Sequence, residues 1–274
     1  MINPLWSLAL LALVPLAGAQ ERAGRGADAQ ARSPWGIGVG AAVSESPYAG
    51  EGTRLIPVPL LSYEGHRAYL RGVTGGWRLV DTPAFEFALI AKARLDGIDV
   101  DDLDRGQLAR NGVDASLLED RKRGLDLGLG MEWSGTGGQL QVELLADVTD
   151  RSGGQEASVQ YGYPLRAGNG VLTPIVGATW WSDDMADYYY GTLPEEVARG
   201  VPDYRPGSLT IPHAGVSFFR PLGPTTWSLV GSLRYSRLPG AIGDSPLVDP
   251  GTDDSFSMFV GVSRGFRPWW MRGR

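Results

Sequence analysis

The residues of this 274-residue chain whose types could do chemistry are two histidines, one acidic stretch and a set of alternating charges. His213 has Ser217 four residues on, and a serine nucleophile with a histidine base is a hydrolase pairing. Positions four apart on a strand share a face but lie about 13 Å apart, beyond the hydrogen-bond reach of a general base. His66, beside Glu64 and Gly65, reads as a solvated turn residue. Asp96, Asp99, Asp101, Asp102 and Asp104 crowd one stretch, and carboxylates of this kind suit a calcium ion. Their spacing lacks the glycine and distal glutamate of an EF-hand loop, so a solvated loop is expected, with weak divalent-cation binding as the alternative. The chain has no cysteine, which removes disulfides, thiolate nucleophiles and thiolate metal sites together. These residues therefore point to no catalytic group, no metal and no cofactor.

The alternating charges carry more. Glu86, Lys92 and Arg94 stand opposite Phe85, Phe87, Leu89, Ala91, Ala93 and Leu95 in one run. Asp126 and Glu132 alternate with Leu125, Leu127, Leu129, Met131 and Trp133; Glu143 and Asp147 alternate with Leu140, Val142, Leu144, Ala146 and Val148. Arg234 stands against Trp227, Leu229, Leu233 and Tyr235. A side-chain period of two is a strand with one apolar and one polar face. The run 256–266 repeats it, with Phe256, Met258, Val260, Val262 and Phe266 against small residues. Residues 35–43 do the same, and their Gly-x-Gly-x-Gly lies inside the alternation rather than before a helix, so it is no nucleotide loop.

Such strands need a solvent for each face. The apolar run 5–16 followed by Ala17-Gly18-Ala19 resembles a secretory signal peptide, with residues 1–19 removed and Gln20 as the mature start. Beyond it, no stretch approaches the ~20 apolar residues of a membrane helix, although hydrophobic residues make up 43% of the chain. An all-β transmembrane antiparallel barrel resolves this, since only half of each strand faces lipid, and it places the protein in a bacterial outer membrane. The alternating charges then face the lumen. Their mixed sign favours a plugged or narrow bore over an open pore. Leu127 is assigned to lipid and Gly128 to the lumen, where a small hydroxyl could be hydrated. Lipopolysaccharide and outer-membrane lipid become the expected surroundings, and any cation at the acidic loop would bridge to lipopolysaccharide. The formal charge of −6 gives no case for nucleic-acid binding.

Connections alternate between tight turns near 134–138, 166–170 and 221–225 and long loops at 96–120, 182–206 and 238–254, the outer-membrane habit of short periplasmic turns and long external loops. Residues 54–81 must hold an odd number of strands. Three, broken at Glu64-Gly65 and Thr74-Gly75-Gly76, give about twelve strands, with ten the alternative and both termini periplasmic. Residues 20–34 read as a flexible periplasmic segment, 35–266 as the barrel, and 267–274 as a basic, aromatic tail. Trp35, Trp77, Trp133, Trp180, Trp181, Tyr161 and Tyr163 are expected at the lipid interfaces. Phe266 is the expected C-terminal assembly signal, with Pro268 ending its strand.

Several segments in one order resemble the MipA/OmpV family of outer-membrane proteins. They include Trp-Gly-Ile-Gly-Val-Gly at 35–40, Ser-Pro-Tyr-Ala-Gly at 46–50, Tyr-Leu-Arg-Gly at 69–72, Asp-Arg-Ser-Gly-Gly-Gln-Glu-Ala-Ser at 150–158, Asp-Tyr-Tyr-Tyr-Gly at 187–191, Tyr-Arg-Pro-Gly at 204–207 and Asp-Ser-Pro-Leu-Val-Asp at 244–249. The resemblance implies a non-enzymatic barrel that tethers a periplasmic murein hydrolase, a lytic transglycosylase, to a murein synthase. A small-solute porin or a surface adhesin is the alternative. It brings no catalytic residues. The loop motifs contribute Ser46, Pro47 and Tyr48; Asp150, Arg151, Gln155 and Glu156; Tyr188, Tyr189 and Tyr190; and Asp244, Ser245 and Pro246. They fall on the long-loop side, where they are expected to pack as a cap over the bore, with a ligand site as the other possibility.

Overall fold

A computed structural model describes residues 34–223 and 226–266. The expected signal segment 1–19, nearly all of 20–34 and the tail 267–274 lie outside the described residues. Thirteen strand segments form one antiparallel sheet: β1 (Trp35–Glu45), β2 (Thr53–Glu64), β3 (Ala68–Arg71), β4 (Thr74–Asp81), β5 (Phe85–Arg94), β6 (Gly124–Gly135), β7 (Gly138–Asp147), β8 (Gln155–Gly162), β9 (Leu165–Ala167), β10 (Gly170–Trp181), β11 (Leu209–Pro221), β12 (Trp227–Arg237) and β13 (Asp254–Phe266). β8 and β9 are one wall strand interrupted at Tyr163-Pro164, because both pair with β10. Each strand pairs with its sequence neighbour, and β13 returns to β1 with Trp35 opposite Phe266. The sheet is thus a closed barrel of twelve strands.

The alternation read from the sequence is the inside–outside alternation of this wall. Leu127 is 46% exposed and its neighbour Asp126 is 1% exposed. Such a chain exposes Val39, Leu55, Leu89, Leu144, Val176 and Val260 together, an apolar band that only lipid can cover. At the end where the chain enters and leaves the wall, Trp35, Tyr63 and Phe266 cluster, with ring centroids 4.6 and 6.4 Å from Trp35.

Three expectations are corrected. The break between β3 and β4 is Gly72-Val73, and Thr74-Gly75-Gly76 lies inside β4. Trp181 is not at a lipid interface; it is 3% exposed and points into the bore, because its odd position on β10 is on the inward face with Ile175 and Thr173. Gly128 is on the inward face, but a Cβ there would lie 1.8 Å from the Leu144 carbonyl oxygen. The wall at that point has room only for glycine.

The long loops also hold short helices that strand periodicity does not reveal: α1 (Arg105–Arg110), α2 (Asp183–Tyr190), α3 (Pro194–Ala198) and α4 (Gly240–Gly243). Side-chain caps start α1 and α2. Asp104 accepts from the Gln107 N–H at 2.6 Å, and Ser182 accepts from the Met185 N–H at 3.4 Å. The turns 65–67, 82–84, 136–137 and 168–169 lie at the barrel end that holds Trp35 and Phe266, and the helix-bearing loops lie at the other.

Candidate functional site

The inward charges assemble into two networks. The first lies toward the end with the chain termini. Arg71 Nε donates to Glu64 at 2.6 Å, and its guanidinium also approaches Glu86 at 3.7 Å and Glu132 at 3.9 Å. Arg78 bonds Glu86 at 2.5 Å and also Glu64. Both guanidinium carbons sit over the Tyr69 ring, 4.2 and 4.7 Å from its centroid, a desolvated cation–π arrangement. The second network lies toward the cap. Arg94 donates to Asp126 at 2.8 Å, to Glu156 at 2.8 Å and to Asp96 at 3.2 Å. Lys92 lies 3.4 Å from Glu143 and 3.6 Å from Glu156. Trp181 Nε1 donates to Glu156 at 3.0 Å, and Arg234 donates to Gln160 at 3.0 Å. Multiple partners per carboxylate are what buried charge requires, since an unpaired ion in a low-dielectric bore is costly.

Glu86, Lys92, Arg94, Asp126, Glu132, Glu143 and Arg234 therefore meet inside the barrel, as their alternation requires. Asp147 shares their strand parity but ends β7. Its carboxylate accepts N–H groups from Thr149, Arg151, Ser152 and Gly153 at 2.7–3.1 Å. The loop wraps around that anion, with Asp150 in the left-handed region at φ 54°, so the residues at 150–153 build a turn. Arg71 and Arg78, absent from the alternation read above, anchor the first network.

Over the other end sits an aromatic and aliphatic cap. Tyr48 stacks on Tyr190 at 5.6 Å, and Trp181 stacks on Tyr190 at 5.9 Å. Tyr48 donates to the Tyr189 carbonyl at 3.1 Å, and Ser245 to the Tyr190 carbonyl at 2.6 Å. Tyr48 bridges to Val248, while Ala49 N–H reaches the Leu247 carbonyl at 3.0 Å. Leu108, Met185, Ala186, Ile242 and Val248 are fully enclosed, and inward wall residues Trp181, Leu209 and Ile211 join them. The cap is thus docked into the barrel mouth. Burial drives the Tyr48 and Tyr190 hydroxyls well above the ordinary phenol range, so both remain neutral.

A buried bidentate pair locks the cap from behind. Arg121 meets Glu196 at 2.7 and 2.9 Å, with 1% and 0% of the two side chains exposed. Arg121 also donates to the carbonyls of Tyr188 (2.6 Å), Glu119 (2.7 Å) and Gly191 (3.1 Å). Burial pushes the Glu196 carboxyl up, but Arg121 and the N–H groups of Glu119 and Leu193 outweigh it and hold it below its usual range. The acidic stretch is spent on similar work: Asp102 pairs with Arg54 at 3.0 Å, Asp99 caps a turn, and Asp104 caps α1. His66 is an exposed turn residue, and His213 faces the bore beside Gly177.

The loop motifs at 46–50, 187–191 and 244–249 thus converge on one structure, the cap, and Glu156 reaches it through Trp181. The family model described as MltA-interacting protein MipA matches residues 37–266, nearly the whole wall. A putative outer membrane protein YiaT of Escherichia coli K12 is 31% identical over 236 residues, covering 84% of this chain and 90% of that one. The MltA-interacting protein of the same strain is 31% identical over 223 residues, covering 81% and 86%. Outer membrane protein OmpV of Vibrio cholerae is 26% identical over 132 residues, about half of each chain. The chain belongs to the MltA-interacting protein MipA family and is an outer-membrane β-barrel.

Proposed function

We propose that this barrel is a non-enzymatic scaffold that holds a murein hydrolase and a murein synthase at the inner surface of the outer membrane. The relative named MltA-interacting protein supports the hydrolase half. The observation that carries the reading is the bore itself. Two ion networks line it and a docked cap fills its mouth, which opposes free solute flow and leaves the outer surfaces to carry the scaffold. In this reading the chain ends and short turns face the periplasm and meet the murein enzymes, while the cap faces outward among lipopolysaccharide. His213 and Ser217 lie four positions apart on β11, a separation that does not serve hydrolysis.

The test is an affinity pull-down from membrane extract, followed by sedimentation of the purified barrel with a purified lytic transglycosylase. Co-sedimentation is expected; its absence with a folded barrel overturns the scaffold. The polar inward faces favour a second reading, a small-solute porin. Single-channel recording in planar bilayers separates the two: silence supports the scaffold, and steady conductance supports the porin.

A further inference from the structure

The barrel wall has a gap. β2 pairs with β1 along its whole length, but on its other side β3 meets it only at Ser62, Tyr63 and Glu64. The β3–β4 hairpin turns back at Gly72-Val73, where Gly72 N–H donates to the Leu61 carbonyl at 3.1 Å. From Thr53 to Leu60 no strand among the described residues pairs with that side of β2. Unpaired backbone groups at membrane depth are costly, and the local sequence limits them. Backbone groups two residues apart on a strand point to the same side. Leu61 directs its carbonyl at the hairpin, so positions 59 and 57 direct their nitrogens into the gap. Both are proline and have no N–H to leave unpaired.

The gap is framed. Its lower border is the hairpin tip, tied to β5 by the Ala93 N–H to Val73 carbonyl bond at 3.0 Å. Its far border is β5 running on into Leu95 and Asp96. Its upper border is the loop after β5, joined to β2 by Arg54–Asp102 at 3.0 Å and to the turn before β2 by Asp104 N–H to the Ala49 carbonyl at 3.0 Å. Outside it lies the apolar band: Leu55 and Leu61 on β2, Ile37 and Val39 on β1.

Behind this window is a cavity of about 620 Å³, a size suited to a small organic ligand. Near the window its lining is apolar, with Val58, Leu60, Val73 and Ile90; deeper in it meets the charges of the bore. Arg71, Lys92 and Arg94 each have a carboxylate within 4 Å. Arg234 lines the same cavity, is 9% exposed, and bonds the neutral amide of Gln160. Among the described residues it makes no ion pair with a carboxylate. A guanidinium with unused N–H groups presents a fork that matches a carboxylate.

We propose that the window admits a single-chain amphiphile with a carboxylate head from the bilayer. Its chain lies along Val58, Leu60 and Ile90, and its head reaches Arg234. The cavity holds one such chain and is too small for a two-chain phospholipid.

The absence of native cysteine makes the test direct. The barrel is placed in nanodiscs of zwitterionic phospholipid, with a bimane fluorophore attached through Val73→Cys at the hairpin tip or, separately, through Val176→Cys on the lipid face of β10. Bromine-tagged dodecanoate is then titrated. Quenching at position 73 is expected to saturate, while quenching at 176 rises only in proportion to the amphiphile in the bilayer. Arg234→Gln should weaken the saturable quenching at least about tenfold. In the unsubstituted lumen, untagged dodecanoate should displace the probe and dodecanol should not. Proportional quenching at both positions overturns the window. Equal displacement by dodecanol, or an unchanged affinity in a folded Arg234→Gln barrel, overturns the assignment of the head group. Where Arg234→Gln does not fold, the dodecanol comparison decides.

Discussion

At the scale of single residues, this protein uses buried charge in two ways. Arg121 and Glu196 satisfy each other and five backbone groups between them. Removing one partner of such a pair leaves the other buried and uncompensated, which costs ~3–5 kcal/mol. Arg121→Ala is therefore expected to open the cap while the strands stay paired. Limited proteolysis should cut within 182–208 much faster, with the heat-modifiable gel shift of the folded barrel unchanged. Asp96 behaves differently. Burial raises its carboxyl to about 6 and Glu156 adds to the rise, against the opposing charges of Arg94 and Lys92. A carboxyl that binds its proton more tightly when folded favours the folded state below its folded pKa, and that contribution falls as pH rises through about 4 to 6. The pull of Glu196 has the opposite sign, present at neutral pH and lost as pH falls through its depressed folded value. The protection of the loop 95–104 against hydrogen exchange, measured relative to the intrinsic amide rate at each pH, should thus fall between about pH 4 and 6, and Asp96→Asn should flatten that slope. An unchanged slope in the variant would assign the effect to another group.

At the scale of elements, legibility followed the length and regularity of each strand. β5, β6 and β7 could be read because ten or more positions keep one inside–outside parity without a bulge, even though Ala88, Ile90 and Leu145 are apolar on the inward face. Arg71 and Arg78 could not. β3 has four residues, and a bulge between Arg78 and Val80 breaks the parity of β4. The window escaped for the same reason, since it depends on the hairpin turning at Gly72-Val73 rather than a few residues later. Helices of four to eight residues in the loops leave little period to detect, although Ser182 before Asp183 and Asp184 is a readable N-terminal signal. Face assignment in the long strands has a direct check. Leu127→Arg places a charge in the lipid band at a cost of ~2–4 kcal/mol, and should lower the yield of heat-modifiable barrel. Gly128→Ser should fail as well, but for want of space against the Leu144 carbonyl rather than for polarity. Leu127→Ser, polar but small, should assemble far better than either. Equal loss in all three would mean that strand β6 tolerates no change and that its faces are not distinguished by lipid.

At the scale of the whole molecule, the barrel is complete only when its ends meet. Trp35 pairs with Phe266 in the register that joins β1 to β13, and Trp35 also packs on Tyr63 of β2. The last strand alternates in burial as far as Gly261, with Phe256, Met258 and Val260 outward. The closing seam therefore concentrates aromatic area where the final pairing must be recognised and sealed, and its loss cannot be shared among neighbouring strands as a mid-wall defect can. Truncating a packed phenylalanine costs roughly 3–5 kcal/mol where it is fully buried, and less at this half-exposed position. The larger expected effect is on assembly, because an unsealed seam leaves two open edges in lipid. Phe266→Ala is expected to lower the amount of folded barrel in the outer membrane sharply, whereas deletion of 267–274 should leave it nearly unchanged. Fractionation followed by heat-modifiable gel mobility reads both. If the deletion abolishes assembly and Phe266→Ala does not, the recognised residue lies beyond the β1–β13 seam, and the pairing of Trp35 with Phe266 closes the barrel without directing it there.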